Sequence, residues 1–389
     1  MADRFHRERL RGIERKGTYP MSRVILRRAA YEYSDLKRLV YETLESLIPG
    51  RIGRGCRVVI KPNLLAPASP EKAILTHPLM VRAVAEYVLD KGARPQVSDS
   101  PAMGTFRKVM KESGIMGALE GLDVECREFL ASASVDIGEP FGKIEIARDA
   151  LEADVLINLP KLKTHSQMLL TLGVKNLFGC VVGFRKPEWH LRTGVDREMF
   201  ALLLVRLYET IKPAVTVLDG VLGMEGEGPG TGGAPRHIGV VLAGTDALAV
   251  DAVVCKMLGL AADALPTNRA AKRIGLTPAS IDLEGELPGV RDFRLPNIVP
   301  LVFGPACFHS VLRRHLVQRP VLTPDSCKSC GDCLRYCPAG AIAQEKKRIA
   351  FDYDKCIRCY CCIEVCPHGA LKTEEPLLGK IVNRVMKRN

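Results

Sequence analysis

Eight of the fourteen cysteines stand in register near the C-terminus. Cys327, Cys330, Cys333 and Cys337 precede Pro338, and Cys356, Cys359, Cys362 and Cys366 precede Pro367. Both runs read C-x2-C-x2-C-x3-C-P, the second repeating the first after 29 residues. Three thiolates at that spacing wrap one face of an iron–sulfur cubane, while the fourth, before proline, reaches a neighbouring cluster. The spacing predicts two [4Fe–4S] clusters. Cys327, Cys330, Cys333 and Cys366 would hold one, and Cys356, Cys359, Cys362 and Cys337 the other. Soft sulfur ligands suit such clusters. Zinc is the alternative, but zinc ribbons use isolated C-x2-C pairs rather than this doubled run. Cys361 is an extra thiol that either packs as a free cysteine or competes with Cys362 as a ligand.

A second constellation lies upstream. In open α/β sheets, ligands bind outside the carboxyl ends of the strands, and there this sequence places unusual residues. The apolar strand Arg57–Ile60 ends in Lys61 and Asn63, and Gln96–Ser98 ends in Asp99. Val155–Asn158 is followed by Lys161, Lys163, Thr164 and His165, and Val215–Leu218 by Asp219. Single polar residues after strands are ordinary loop chemistry. Four strand ends delivering Lys, Asn, Asp and His together read as one site. Lys175 and Asn176 interrupt the apolar run 169–182, where a lysine either snorkels or meets an anion; close behind PKLKTH, it is assigned to the same pocket. Lys61, Asn63, Lys161, Lys163, Lys175, Asn176 and Asp219 are the candidate binding residues. His165 and Asp99 are the candidates for proton transfer, since histidine titrates near neutrality. His190 reads equally as a surface histidine or a site member, Cys180 as core, and Asp246 as a helix cap.

Other motifs fail on context. Gly228, Gly230 and Gly233 match G-x-G-x-x-G, but Pro229 and Pro235 interrupt it and a strand follows, so no helix N-terminus meets a pyrophosphate. Neither G-x-x-x-x-G-K-[ST] nor C-x3-C-x2-C occurs. The glycine-rich stretch 223–233 reads as a mobile loop beside a ligand or as plain turn chemistry.

The elements that must position these residues alternate. Strands are expected at the start of 21–28 and at 57–60, 96–98, 122–126, 143–146, 155–158, 215–218 and 238–242. Helices are expected at 34–48 (capped by Ser34), 78–91, 105–119, 198–211 and 247–258. Short strands between such helices predict an α/β domain, a three-layer, mostly parallel sheet covered on both faces. The expected division is a basic flexible leader at 1–20, the α/β domain at 21–305 and a linker helix at 306–320. A small α+β ferredoxin-like domain then occupies 321–375. Leu377, Leu378, Ile381, Val382, Val385 and Met386 recur at helical spacing opposite Lys380, Arg384, Lys387 and Arg388. This predicts a basic amphipathic C-terminal helix at 376–389, suited to peripheral membrane contact or to an acidic redox partner.

The net charge of +12 is concentrated at the ends. Residues 1–28 hold nine Arg/Lys against three Asp/Glu, and residues 380–389 hold four against none. The body is nearly balanced and no aromatics interleave with the basic residues, which disfavours nucleic acid as a partner. Cys56, Cys126, Cys180, Cys255, Cys307 and Cys361 form no paired framework, so a reducing, cytoplasmic setting is expected. No apolar run reaches the ~18 residues of a membrane span.

The segment 320–375 resembles a bacterial-type ferredoxin with two clusters. KPNLL, GARPQVSDSP, NLPKLKTH, GVKNLFG and DGVLGMEGEGPGTGG followed by TDALAVDAV resemble the uncharacterised iron–sulfur-centre proteins called domain of unknown function 362, over about residues 55–260. Members often carry a ferredoxin-like module at the C-terminus. The resemblance implies a soluble prokaryotic iron–sulfur protein and supplies no reaction. Two functional expectations follow. In one, an oxidoreductase passes single electrons between its clusters and an anionic small molecule or a redox partner protein at the α/β site. In the other, a non-enzymatic carrier or maturation factor docks a client.

Overall fold

The computed structural model describes residues 21–182, 185–193, 196–296, 317–345 and 348–376. Twelve strands build the α/β part: β1 Ser22–Arg28, β2 Arg57–Pro62, β3 Arg94–Val97, β4 Glu125–Cys126, β5 Ser132–Asp136, β6 Lys143–Ala147, β7 Val155–Leu159, β8 Lys161–His165, β9 Leu169–Thr171, β10 Val215–Gly226, β11 Gly233–Gly244 and β12 Ile281–Glu284. Ten of them form one sheet, ordered β12-β1-β11-β10-β7-β2-β3-β4, with β8 paired to β10 and β9; β5 and β6 form a separate hairpin. The pairs β10–β7, β7–β2, β2–β3 and β3–β4 are parallel, and β11 runs antiparallel to both neighbours.

Alternation along the strands makes the layers. Val58 and Ile60 of β2 join Ile157 and Val217 in a core roofed by helices Tyr33–Leu47 and Pro78–Asp90. Val59 and Leu156 face the other way, against Phe200 and Leu204 of helix Arg197–Ile211. Successive side chains leave opposite faces of a strand, so apolar runs such as RVVI suit a sheet covered on both sides.

Several expected boundaries shift. The first helix begins at Tyr33, so Ser34 lies inside its first turn; its N-cap is Glu32, with no side-chain bond. The helix expected over 105–119 is two, Phe106–Glu112 and Ile115–Ala118, because Gly114 takes a left-handed φ of 74° between them. Asp246 does cap its helix, accepting from Leu248 N. Gly223 to Gly226 are strand rather than loop, since β10 and β11 continue as a long hairpin.

The smaller domain pairs β13 (Arg319–Leu322) with β16 (Leu371–Glu374), and β14 (Ile342–Glu345) with β15 (Arg348–Phe351), all antiparallel. Helices Asp332–Arg335 and Cys361–Glu364 lie between them. Arg319 and Pro320, expected to close a linker helix, open a strand instead. The leader 1–20, the linker helix up to residue 316 and the C-terminal helix from 377 lie outside the described residues. Among the described residues, no helix is long and apolar enough to cross a membrane.

Candidate functional site

The eight register cysteines sort into two groups of four. Cys327, Cys330, Cys333 and Cys366 line one small cavity, and Cys337, Cys356, Cys359 and Cys362 line another. The fourth cysteine of each run has crossed to the other group. Local geometry repeats as well. Ser329 and Gly331 in the first run, and Arg358 and Tyr360 in the second, have positive φ. Each turn then leads into a four-residue helix. Backbone N–H groups of Ala341 and Ala370 donate to the sulfurs of Cys337 and Cys366, both at 3.3 Å. Among the described residues, no three His, Cys, Asp or Glu side chains converge where a single metal ion would sit. Thiols spread around a cavity fit an iron–sulfur cluster and not a mononuclear zinc.

Cys361 is absent from both groups. It lines a third and larger cavity, ≈ 260 Å³, between the two domains. The α/β domain supplies Lys61, Asn63, Asp99, Lys163, His165, Lys175 and Asn176 to its wall, and the smaller domain supplies Tyr336, Cys361, Glu364 and Val365. Seven of the nine α/β residues singled out by sequence therefore meet in one place.

Their bonding separates fixed groups from free ones. Lys61 Nζ pairs with Asp99 Oδ1 at 2.9 Å. Asp99 also accepts from the N–H groups of Leu64 and Ser100, each at 2.9 Å. Both oxygens of Asp99 are thus engaged, and the ion pair holds Lys61 in place. Lys163 Nζ donates to Asn63 Oδ1 at 2.8 Å and to the Ile74 carbonyl at 2.7 Å. Asn176 is held on both sides, accepting from Asn63 Nδ2 and donating to Asn158 Oδ1, each at 2.8 Å. Lys175 differs: among the described residues, no hydrogen bond or ion pair engages its ammonium. Burial lowers its pKa, while Glu364 and Cys361 nearby raise it.

His165 sits at the end of β8. Its Nδ1 accepts from the N–H groups of Gln167 and Met168 at 3.1 and 3.3 Å, so the ring proton belongs on Nε2. Nε2 lies 3.0 Å from Glu364 Oε1, although neither atom makes a well-directed hydrogen bond. His190 Nδ1 is also buried without a partner, its ring packed against Phe178 and Phe200. Burial pushes its imidazole down to about 3.

The comparisons with known proteins follow the same division. A family model described as "Domain of unknown function (DUF362)" matches residues 58–256, and one described as "4Fe-4S dicluster domain" matches residues 319–370. The chain belongs to the DUF362 family. This DUF362 protein is 36% identical over 305 residues to a "thylakoid-associated protein" of Synechocystis sp., covering 76% of this chain and 94% of that one. Among solved structures, it resembles a lactate racemase apoprotein from Thermoanaerobacterium thermosaccharolyticum at 17% identity and a TM-score of 0.35. That likeness covers 51% of this chain and 50% of the other.

In this DUF362 protein the cavity is thus shared between the DUF362 region and the dicluster domain, which makes it an iron–sulfur protein of ferredoxin type. Two candidate residues lie apart. Lys161 Nζ and Asp219 Oδ2 pair at 2.8 Å, both fully buried. Tyr31 donates to Asp219 Oδ1 at 2.8 Å, and the N–H of His77 to Oδ2 at 2.9 Å. This cluster ties β8 to β10 and to the start of helix Pro78–Asp90, away from the cavity wall. Sequence reading assigned no role to Lys186, Glu128 or Glu364. Lys186 Nζ donates to Ser100 O and Oγ at 2.8 and 2.9 Å, and burial pushes it down to about 8. Glu364 offered a signal, being a carboxylate between two ligands, Cys362 and Cys366.

Proposed function

We propose that this protein holds two [4Fe–4S] clusters and passes electrons between them and a small anionic molecule bound in the cavity between its domains. One observation carries the reading: the cavity that gathers the strand-end residues takes part of its wall from residues adjoining the cysteine groups. Tyr336 precedes Cys337, Cys361 precedes Cys362, and Val365 precedes Cys366. Clusters at those cysteines would supply one-electron redox chemistry.

The chain's own residues would do the rest. Lys175, without an ion pair, anchors the anion, and His190 Nδ1 offers a second polar contact. Lys61, Lys163 and Lys186 are already bonded and set a positive field behind them. His165 presents its Nε2–H at the cavity wall, beside Glu364, where it can donate a hydrogen bond to a bound oxygen. Leu64, Leu65, Phe178 and Val365 give the wall an apolar part, which strengthens each electrostatic contact. A cavity of ≈ 260 Å³ lined by charged side chains from both domains suits a small molecule better than a docked client, so the carrier reading is the weaker one.

Protein purified anaerobically is expected to contain about eight iron and eight sulfide. Native mass spectrometry should find a small anion that is lost as salt rises. Lys175→Ala should lose the anion and keep the visible absorbance. Full cluster content with the same anion retained in Lys175→Ala would refute the binding role. The thylakoid association in the relative's name, together with the basic residues after 379, supports a peripheral membrane contact here. Co-sedimentation with anionic vesicles at low salt, compared with a chain ending at Pro376, tests it.

A further inference from the structure

Arg358 stands between Cys356 and Cys359, with its backbone in the left-handed region at φ 59°. The residue is 3% exposed, and its Nε, Nη1 and Nη2 are all buried with no hydrogen-bond partner. Its guanidinium lies over the Tyr353 ring, 5.2 Å from the centroid. That contact leaves a permanent cation inside the protein with no carboxylate in reach among the described residues. Outside the described residues, 297–316 and 377–389 contain no Asp or Glu, while 1–20 contain Asp3, Glu8 and Glu14. Burying a charge without an opposite charge costs several kcal/mol, so this side chain calls for an anion that the described residues do not supply.

The anion the sequence offers is the one its neighbours would bind. Four thiolates around a [4Fe–4S] core in the 2+ state carry a net charge of about −2, and one added electron makes it about −3. The first cysteine run lacks this feature: 29 residues earlier the equivalent position is Ser329, also at positive φ (53°). The two sites differ in exposure too. Cys359 and Cys362 are buried, whereas Cys330 is exposed. Burial alone would disfavour the more negative, reduced state.

We propose that Arg358 is the counter-ion of the cluster site formed by Cys337, Cys356, Cys359 and Cys362 and raises its reduction potential. This rests on the two-cluster reading. A buried cation stabilises the reduced state more than the oxidised one, because attraction grows with the anionic charge and is little screened inside the protein. Arg358 thereby keeps the buried site reducible, and that site adjoins the interdomain cavity through Cys361.

The test is an anaerobic redox titration of the full chain followed by electron paramagnetic resonance, with iron and sulfide measured on every sample. Arg358→Gln should lower one of two midpoints, shifting its reduction equilibrium at least tenfold, 59 mV for one electron. The other midpoint should stay in place, and Arg358→Lys should restore most of the shift. Full cluster content with both midpoints unmoved in Arg358→Gln overturns the proposal. If Arg358→Gln fails to hold iron, Arg358→Lys decides. Iron kept near the wild-type midpoint supports a charge role, and iron lost again marks a packing role and overturns it. Wild-type protein with fewer than two clusters would fail the underlying reading instead, and is seen before any midpoint is measured.

Discussion

Nε2 of His165 lies 3.0 Å from Oε1 of Glu364. A strand of the DUF362 region and a helix of the dicluster domain thus meet at one acid–base pair on the wall of the shared cavity. Burial, reinforced by Lys175, pushes the imidazole down to about 4. Burial alone would raise the carboxyl, but His165, Lys175 and His190 overcome it and hold it at about 2. At neutral pH the pair is a neutral imidazole carrying its proton on Nε2 and a carboxylate.

These shifts set an acid limit. An unfolded histidine takes a proton near pH 6.5, while His165 and His190 resist it down to about 4 and about 3 when folded. Between those values the unfolded state binds more protons, so stability is full above pH 6.5 and falls as pH drops. His190→Phe, which suits the ring cluster with Phe178 and Phe200, removes one such proton. Urea denaturation at a series of pH values should show its slope below pH 6.5 flattened by up to ~1.4 kcal/mol per unit. A slope matching the wild type would rule this out.

Lys161, fully buried, and Lys175, only partly so, should behave oppositely. Lys161→Met strands Asp219 without its cation and should cost ~3–5 kcal/mol of stability. Lys175→Met removes a cation that has no ion pair, so stability should hold or rise while anion binding weakens. Denaturation and native mass spectrometry on both variants check this; equal destabilisation would show that Lys175 has a structural partner.

Gly179 is fixed by what faces it. A Cβ there would run into Asp99 Oδ1 and come within 2.6 Å of Lys61 Nζ. Gly179→Ala should therefore lose at least ~1–3 kcal/mol, as overpacking does. Gly117, with nothing within 4 Å of its Cβ position, is the control. Its alanine variant should be neutral or slightly stabilising, and melting curves that rank the two the other way would contradict the geometry.

Cysteine variants test the crossing of the two runs. Cys337→Ala should impair the cluster of the second run, and Cys366→Ala that of the first. Cys361→Ser should retain full iron, since Cys361 lines the interdomain cavity and neither cysteine group, its side chain only hydrogen-bonding that of Cys359. Iron loss in Cys361→Ser comparable to that in Cys337→Ala would make Cys361 a ligand.

Much of this was legible in sequence where the signal is local. The cysteine spacing implies its own crossing, and runs such as RVVI read as strands because both sides of the sheet are covered. β8 was not legible. KLKTH alternates polar residues and reads as a loop, yet all five side chains are buried. Lys161 and Lys163 find their partners in Asp219 and Asn63, 58 and 100 residues away. Asp219 looked like a pocket residue for the same reason, since a strand end gives the edge but not which way the side chain is tied. Lys186 and Glu128 reach the cavity only through tertiary packing, and no spacing announces them.

The most direct measurement is diffraction from anaerobically grown crystals, recorded at the iron absorption edge. Expected are two four-iron peaks, one within each cysteine group, and non-protein density in the interdomain cavity against Lys175 and His190. Iron inside that cavity, or a cavity filled only by water beside two intact clusters, would contradict a small anion bound where the two domains meet.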